Sequence, residues 1–195
     1  MTLTKERPGT MAAARRAMID SQLRTSGVNE PWVLAAMDSV AREDFVPEAM
    51  KASAYIDRAI PLGNGRSLAA PLVHGWMLAE AAPTAADTAL LVCGSGYLEA
   101  LLRPLVGKLD KAEATDKPKK GAYSLIVIDG AIEELPAAIA NALADDGRIV
   151  TGLVERGVTR LAVGRKAAGE IAYLPLAEIG IPVLSDFAAP RRWSF

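Results

Sequence analysis

ALLVCGSGY (Ala89 to Tyr97) and YSLIVIDG (Tyr123 to Gly130) decide how this chain folds. The first is an apolar run that enters a glycine turn directly, and the second is an apolar run that ends on an acidic residue. A strand that stops at a glycine-rich turn ahead of a helix is where α/β proteins cradle nucleotide-like cofactors. Three parallel strands with two crossover helices take about sixty residues. Only 25 residues lie between Tyr97 and Tyr123. That is room for one crossover helix and one short strand. The spacing predicts a largely parallel sheet that is one β-α crossover short.

Upstream, MAAARRAMIDSQLRTSGV places Met11, Ala14, Met18, Ile19 and Leu23 on one helical face, with Arg15, Arg16, Asp20 and Arg24 opposite and Gly27 as the stop. Pro31 opens a second helix with Val33, Leu34, Met37 and Val40 as its apolar face, and Pro47 ends that region. AYIDRAIPLGNGRSLAAP (Ala54 to Pro71) is punctuated by proline and glycine and reads as a loop or short extended segment. Helices are expected over 72–82, 98–105 and 133–143, and a short strand around Lys111 to Ala114. Asp145, Asp146 and Gly147 read as a turn. RIVTGLV is a strand, and two or three more follow, with Gly164 to Gly169 as a hairpin connection. Alternating β and α followed by a β-rich end predicts a parallel sheet with an antiparallel edge. Residues 1–70 form the expected N-terminal helical subdomain and loop, and 71–195 the sheet domain. With no flexible linker between them, the two are expected to fold as one unit.

Composition excludes several classes. The net charge of −1 carries no electrostatic footprint for nucleic acid or an anionic membrane. The N-terminus has no continuous apolar h-region, and no apolar run spans a bilayer. Cys93 is the single cysteine and His74 the single histidine, so an internal disulfide and a Cys/His zinc site are both excluded. A cytoplasmic location is expected. His74 reads as a surface or boundary histidine, Cys93 as a small buried residue beside the turn, and Lys117, Lys119 and Lys120 as a solvated loop. Trp193 and Phe195 read as a docked terminal strand or as a contact with another subunit.

Taken in order, several segments resemble the protein-L-isoaspartate O-methyltransferase family, which uses S-adenosylmethionine. Gln22 to Pro47 is similar to the family's N-terminal signature, filled here by Val33, Leu34, Ala36, Met37, Arg42, Phe45, Val46 and Pro47. The segment AYIDRAIPLGNGRSLAAP resembles the family's A-Y-x-D-x-x-x-P-I-G-x-G-Q-T-I-S-x-P at Ala54, Tyr55, Asp57, Pro61, Gly63, Gly65 and Pro71. CGSGY matches the end of the glycine motif, and Asp145 to Val150 resembles a late Gly-Gly-Arg-Leu-Val. The resemblance implies a Rossmann-like, seven-stranded S-adenosylmethionine-dependent methyltransferase sheet behind an N-terminal helical subdomain. It also implies methyl transfer to isoaspartyl carboxylates of damaged proteins.

The resemblance places cofactor contacts at Gly94, Ser95, Gly96 and Tyr97, and at Asp129 with Gly130, where Asp129 is either site-lining or a helix N-cap. Glu113 or Asp116 is the candidate acid at the end of the second sheet strand, with Glu113 preferred. Arg66 and Ser67 are the candidate substrate contacts, in the places of the family's glutamine and threonine. Four departures fall on these contacts: Leu90 and Val92 replace an acidic residue and a glycine, Ala69 replaces a serine, and the crossover is missing. They leave open a second reading, a non-catalytic relative that keeps the fold as a binding or assembly module. Neither reading sets the oligomeric state.

Overall fold

The computed structural model describes residues 10–189, so Trp193 and Phe195 lie outside the described residues. Helix α1 (Met11–Met18) starts at Thr10, whose hydroxyl accepts from the Ala13 N–H, and passes without a break into one π turn, Ile19–Leu23. Gly27 stops it with φ of 92°, the left-handed region that glycine enters at no steric cost. Helix α2 (Pro31–Ser39) begins on its proline, whose missing N–H would be unpaired there in any case. The glycine-rich segment forms a hairpin, β1 (Ile60–Gly63) against β2 (Arg66–Leu68), and Pro71 opens α3 (Pro71–Ala81).

The main sheet has six strands in the order β4-β3-β5-β6-β7-β8. Strands β3 (Thr88–Val92), β4 (Lys108–Ala112), β5 (Tyr123–Ile132) and β6 (Leu143–Glu155) are parallel; β7 (Val158–Ala167) and β8 (Glu170–Glu178) return as antiparallel hairpins. The expected mixed sheet is thus present, with six strands among the described residues and not the seven that the family resemblance implied. From β4 the chain reaches β5, on the far side of β3, through residues 113–122 alone, with neither helix nor strand between them. Ten extended residues reach about 33–36 Å, enough to run back along a five-residue strand and across two strand spacings. One crossover is absent, as the spacing predicts.

Alternate residues of the buried strands feed two cores. Ala89, Leu91, Leu125, Val127 and Val150 face α3, α4 (Tyr97–Leu102) and the N-terminal helices. Leu90, Val92, Ile126, Ile128 and Ile149 face the other way, against Ala112, Ala114, α5 (Ala137–Ala142), Leu184 and Phe187. The connection 113–122 and the segment around Leu184 therefore cover the face from which the crossover has been lost.

Three expectations differ from the structure. The helix expected over 133–143 shrinks to α5, because the N–H groups of Ala131, Glu133 and Glu134 donate to Pro182 and Phe187 carbonyls of the C-terminal segment. The Asp145–Gly147 turn is absorbed into β6, with Asp146 at φ of 62°. Gly164 lies inside β7, where a Cβ would meet Ile149 at 2.6 Å, and the hairpin turns at Ala168 and Gly169 instead.

One polar node ties the lower end of the sheet together. Arg148 Nη1 and Nη2 donate to the two carboxylate oxygens of Asp87 at 2.9 and 2.7 Å, and its Nε donates to the Ala81 carbonyl at the end of α3. Ser124 Oγ and the Thr84 N–H complete the Asp87 carboxylate at 2.7 and 2.8 Å. The Arg148 bonds outweigh burial and hold Asp87 well below the usual carboxylate range. A depressed folded-state pKa stabilises the fold above the unfolded carboxylate's pKa of about 4, and that contribution is lost as pH falls further. Asp87→Asn is expected to lower the unfolding free energy by about 3 kcal/mol at pH 7. Urea unfolding from pH 7 to pH 2 checks it: the wild type's advantage over the variant must begin to shrink below about pH 4 and keep shrinking down to pH 2.

Candidate functional site

At the carboxyl end of β3 the chain turns through Cys93, Gly94, Ser95 and Gly96 into α4. Gly94 to Gly96 are half-buried, between the buried Cys93 and the buried Tyr97, so this turn is the part of the strand end open to solvent. Gly94 must be glycine because a Cβ would lie 2.5 Å from a Leu91 methyl, and Gly96 because φ is 80°. Packing and backbone shape keep the two flanking positions of Ser95 free of side chains.

A buried polar chain fixes the turn from behind. Asp129, inside β5 one residue past its pairing with β3, accepts the Ser95 N–H on one carboxylate oxygen at 2.7 Å and His74 Nε2–H on the other at 3.0 Å. The other imidazole nitrogen, Nδ1, faces Arg42 Nη1 at 3.2 Å. A guanidinium has no acceptor, so Nδ1 carries the lone pair and the proton sits on Nε2. His74 is then a neutral spacer between a buried cation and a buried anion. Arg42, fully buried, donates to the carbonyls of Ala54 and Ala69 as well. Burial pushes its guanidinium down to about 10, which leaves it charged at neutral pH. Burial also pushes the Asp129 carboxyl up, but the His74 and Ser95 interactions prevail and hold it below the usual carboxylate range.

Glu113 directly follows β4, in the strand position next to β3, with its side chain 62% exposed. Its Oε2 lies 3.2 Å from Arg66 Nη1, and Arg66 Nη2 donates to the Cys93 carbonyl beside the glycine turn. Asp116 plays a different part, since its carboxylate accepts the Glu113 N–H at 2.8 Å and closes the turn behind it. Cys93 is buried, and burial with the nearby Glu113 pushes its thiol up to about 12, so it is no thiolate nucleophile.

The sequence-derived site residues thus fall into three groups. Gly94, Ser95, Gly96, Glu113 and Arg66 meet around one opening, and Ser67 is half-buried beside Arg66 on β2. Asp129 is 5% exposed and used up by His74 and Ser95, so it is neither a ligand-lining carboxylate nor an N-cap. Tyr97 points inward, its ring 5.6 Å from Phe45 and 5.4 Å from His74, and Gly130 lies under Leu184. These three support the turn from inside the protein. Ala69, where the family carries a hydroxyl, is buried, and its carbonyl is held by Arg42. His74, read from sequence as a surface or boundary residue, is fully buried. The signals that could have found this chain were the sole histidine and an arginine within an apolar signature.

The groups gathered here suit an adenosyl cofactor: a carboxylate after the second strand end for a ribose diol, and a turn with glycine on either side of Ser95 for close backbone approach. Among the described residues no group of His, Cys, Asp and Glu could hold a metal ion.

A profile of the protein-L-isoaspartate(D-aspartate) O-methyltransferase family matches residues 13–120, more than half of the chain. The chain is 30% identical over 183 residues to protein-L-isoaspartate O-methyltransferase 2 of Anaeromyxobacter sp. (strain Fw109-5), covering 79% of this chain and 75% of that one. It is 27% identical to the protein-L-isoaspartate O-methyltransferase of Methanoculleus marisnigri, covering 89% and 92%. A crystal structure from Plasmodium falciparum, described as a protein-L-isoaspartate O-methyltransferase in complex with S-adenosyl-L-homocysteine, superposes with a TM-score of 0.71. It has 18% identity and covers 88% of this chain and 98% of that one, a likeness of fold.

Leu184, in the C-terminal segment, packs on Gly130 as part of the second core. A Cβ on Gly130 would lie 2.5 Å from Leu184 Cγ and 2.8 Å from both its methyls. Gly130→Ala is expected to cost about 1–3 kcal/mol of stability by overpacking. In a Leu184→Ala background the same change should cost much less, and a double-mutant cycle in urea measures the difference.

Proposed function

This chain belongs to the protein-L-isoaspartate(D-aspartate) O-methyltransferase family, and on that premise we propose that it methylates the carboxylate of isoaspartyl residues in damaged proteins, with S-adenosylmethionine as donor. The observation that carries the reading is the half-open Gly94–Gly96 turn, braced from behind by Asp129 and flanked by the Glu113 carboxylate.

When bound, the cofactor supplies an electrophilic methyl on a sulfonium sulfur. The isoaspartyl carboxylate, ionised at pH 7 because its ordinary pKa is about 4, needs no general base. One of its oxygens forms the C–O bond as the C–S bond breaks, giving a methyl ester and a neutral thioether. The protein has only to align the two reactants and keep water away. His74 is accordingly free to be structural. Glu113 would hold the ribose hydroxyls, Gly94 to Gly96 would receive the cofactor by close backbone approach, and Ser67 with Arg66 would border the acceptor side. Arg66 and the ribose diol would compete for Glu113, an exchange helped by the partial exposure of both side chains, 33% and 62%.

Apolar Leu90 and Val92 do not count against this reading. Both are buried in the second core, in one cluster with Ile126 and Ile128, so their side chains serve the packing of the sheet.

An isoaspartyl peptide incubated with radiolabelled S-adenosylmethionine should gain a base-labile methyl ester, and its aspartyl counterpart should not. Glu113→Gln removes one charge-assisted acceptor, of the order of 1.5–3 kcal/mol, and is expected to weaken cofactor binding about 10- to 150-fold. Absence of ester on the isoaspartyl peptide with saturating cofactor would overturn the proposal.

A further inference from the structure

Arg66 stands between the two sides of the proposed site. It lies on β2 opposite Gly63 of β1, and Ser67 follows it in the chain. The hairpin is pinned at its base, where Ile60 pairs with Leu68 and both are fully buried. Its turn stands clear: a Cβ on Gly63 or Gly65 would meet no atom within 4 Å. From there Arg66 Nη1 lies 3.2 Å from Glu113 Oε2, and Nη2 donates to the Cys93 carbonyl. A guanidinium joined to both occupies the space between the end of β3 and the carboxylate after β4. A ligand that bridges the Gly94–Gly96 turn and Glu113 needs the same space and the same carboxylate.

The two members of this pair are held unequally. Glu113 is the fixed one, since its N–H donates to the Asp116 carboxylate at 2.8 Å. Arg66 is the movable one: its side chain is part-exposed, its turn is open, and Glu113 and the Cys93 carbonyl are its hydrogen-bond partners among the described residues. A single side-chain contact between groups this exposed is weak, so a ligand can exchange it cheaply. Displaced from Glu113, the guanidinium stays charged and keeps a planar fork of donors that matches a carboxylate. The methyl acceptor brings a carboxylate to this side of the site.

We propose that Arg66 is the residue that binds the acceptor's carboxylate, and that the cofactor makes it available. With the ribose place empty, Arg66 is held on Glu113; the ribose diol, in taking Glu113, releases it to the acceptor. This rests on the methyl-transfer reading above and adds to it a coupling between the two substrates. Whichever ligand binds first breaks the Arg66–Glu113 pair, and the second binds without that cost. By linkage each ligand then favours the other by the same factor.

Calorimetric titration of the intact chain reads this coupling without a chemical step, with S-adenosylhomocysteine and a synthetic isoaspartyl peptide as the two ligands. Without peptide, Arg66→Gln is expected to bind S-adenosylhomocysteine about two- to fivefold tighter than the wild type, the worth of one exposed ion pair. In the wild type, S-adenosylhomocysteine should tighten peptide binding by a similar factor, and in Arg66→Gln that coupling should vanish. Glu113→Ala frees Arg66 outright, so with no cofactor present it should bind the peptide more tightly than the wild type does. Equal or weaker S-adenosylhomocysteine binding by Arg66→Gln would overturn the proposal, because Arg66 would then brace Glu113 and not compete for it. So would coupling that survives Arg66→Gln, or a peptide affinity that Glu113→Ala leaves unchanged. If S-adenosylhomocysteine binds neither the wild type nor Arg66→Gln, the cofactor reading fails as well. If it binds and the peptide is methylated, a failure here concerns Arg66 alone.

Discussion

The buried chain Arg42–His74–Asp129–Ser95 is the constraint on which the rest of the molecule depends. A lone guanidinium or carboxylate in this interior would be prohibitively costly. Arg42 is instead satisfied by two carbonyls and an imidazole, and Asp129 by an imidazole and a backbone N–H. Each member comes from a different part of the chain: the signature after α2, helix α3, strand β5 and the glycine turn. The chain forms only when the N-terminal helices sit on the sheet in one register, so it joins the segment after β2 to the strand ends. Buried ion pairs are weak evidence for stability by themselves. Here the gain is geometric, because the position of the Ser95 N–H is fixed and with it the open face of the turn.

Loss of a crossover would by itself strip one face of the sheet, and two features prevent it. Residues 113–122 replace a helix–strand–helix passage by one extended return, which places Ala114 and Ala122 over the second core. The segment around Leu184 and Phe187 closes the remainder, held by backbone bonds to residues 131–134. Glu113 survives this shortening because it directly follows β4, the last strand before the missing passage. Its neighbour Asp116 then turns the chain at once, through the bond to the Glu113 N–H.

Local signals foretold most of the architecture. Pro31, Pro71 and Gly27 mark boundaries by their own stereochemistry, and the counting of residues between Tyr97 and Tyr123 foretold the missing crossover. What escaped was non-local. The helix expected over 133–143 lost its first turn to backbone partners some fifty residues later in sequence, Pro182 and Phe187. His74 and Asp129, 55 positions apart, looked like a boundary histidine and a site carboxylate; only their meeting shows that each neutralises the other's burial. The glycine turn and Glu113 were legible because a strand end carries its own grammar. Arg66 was assigned to the substrate side, and the structure places its guanidinium on Glu113 and Cys93, a contact that no pattern within β2 announces.

A sheet with one crossover removed still presents the Gly94–Gly96 turn and its flanking carboxylate, the pair on which the proposed cofactor site rests. Calorimetric titration of the intact chain with S-adenosylhomocysteine tests this most directly, because it reads the site without an acceptor or a chemical step. One-to-one binding in the micromolar range, about −8 kcal/mol, is the expected result. No detectable heat and no thermal shift at millimolar ligand would contradict it, and would leave a folded relative that braces an empty turn.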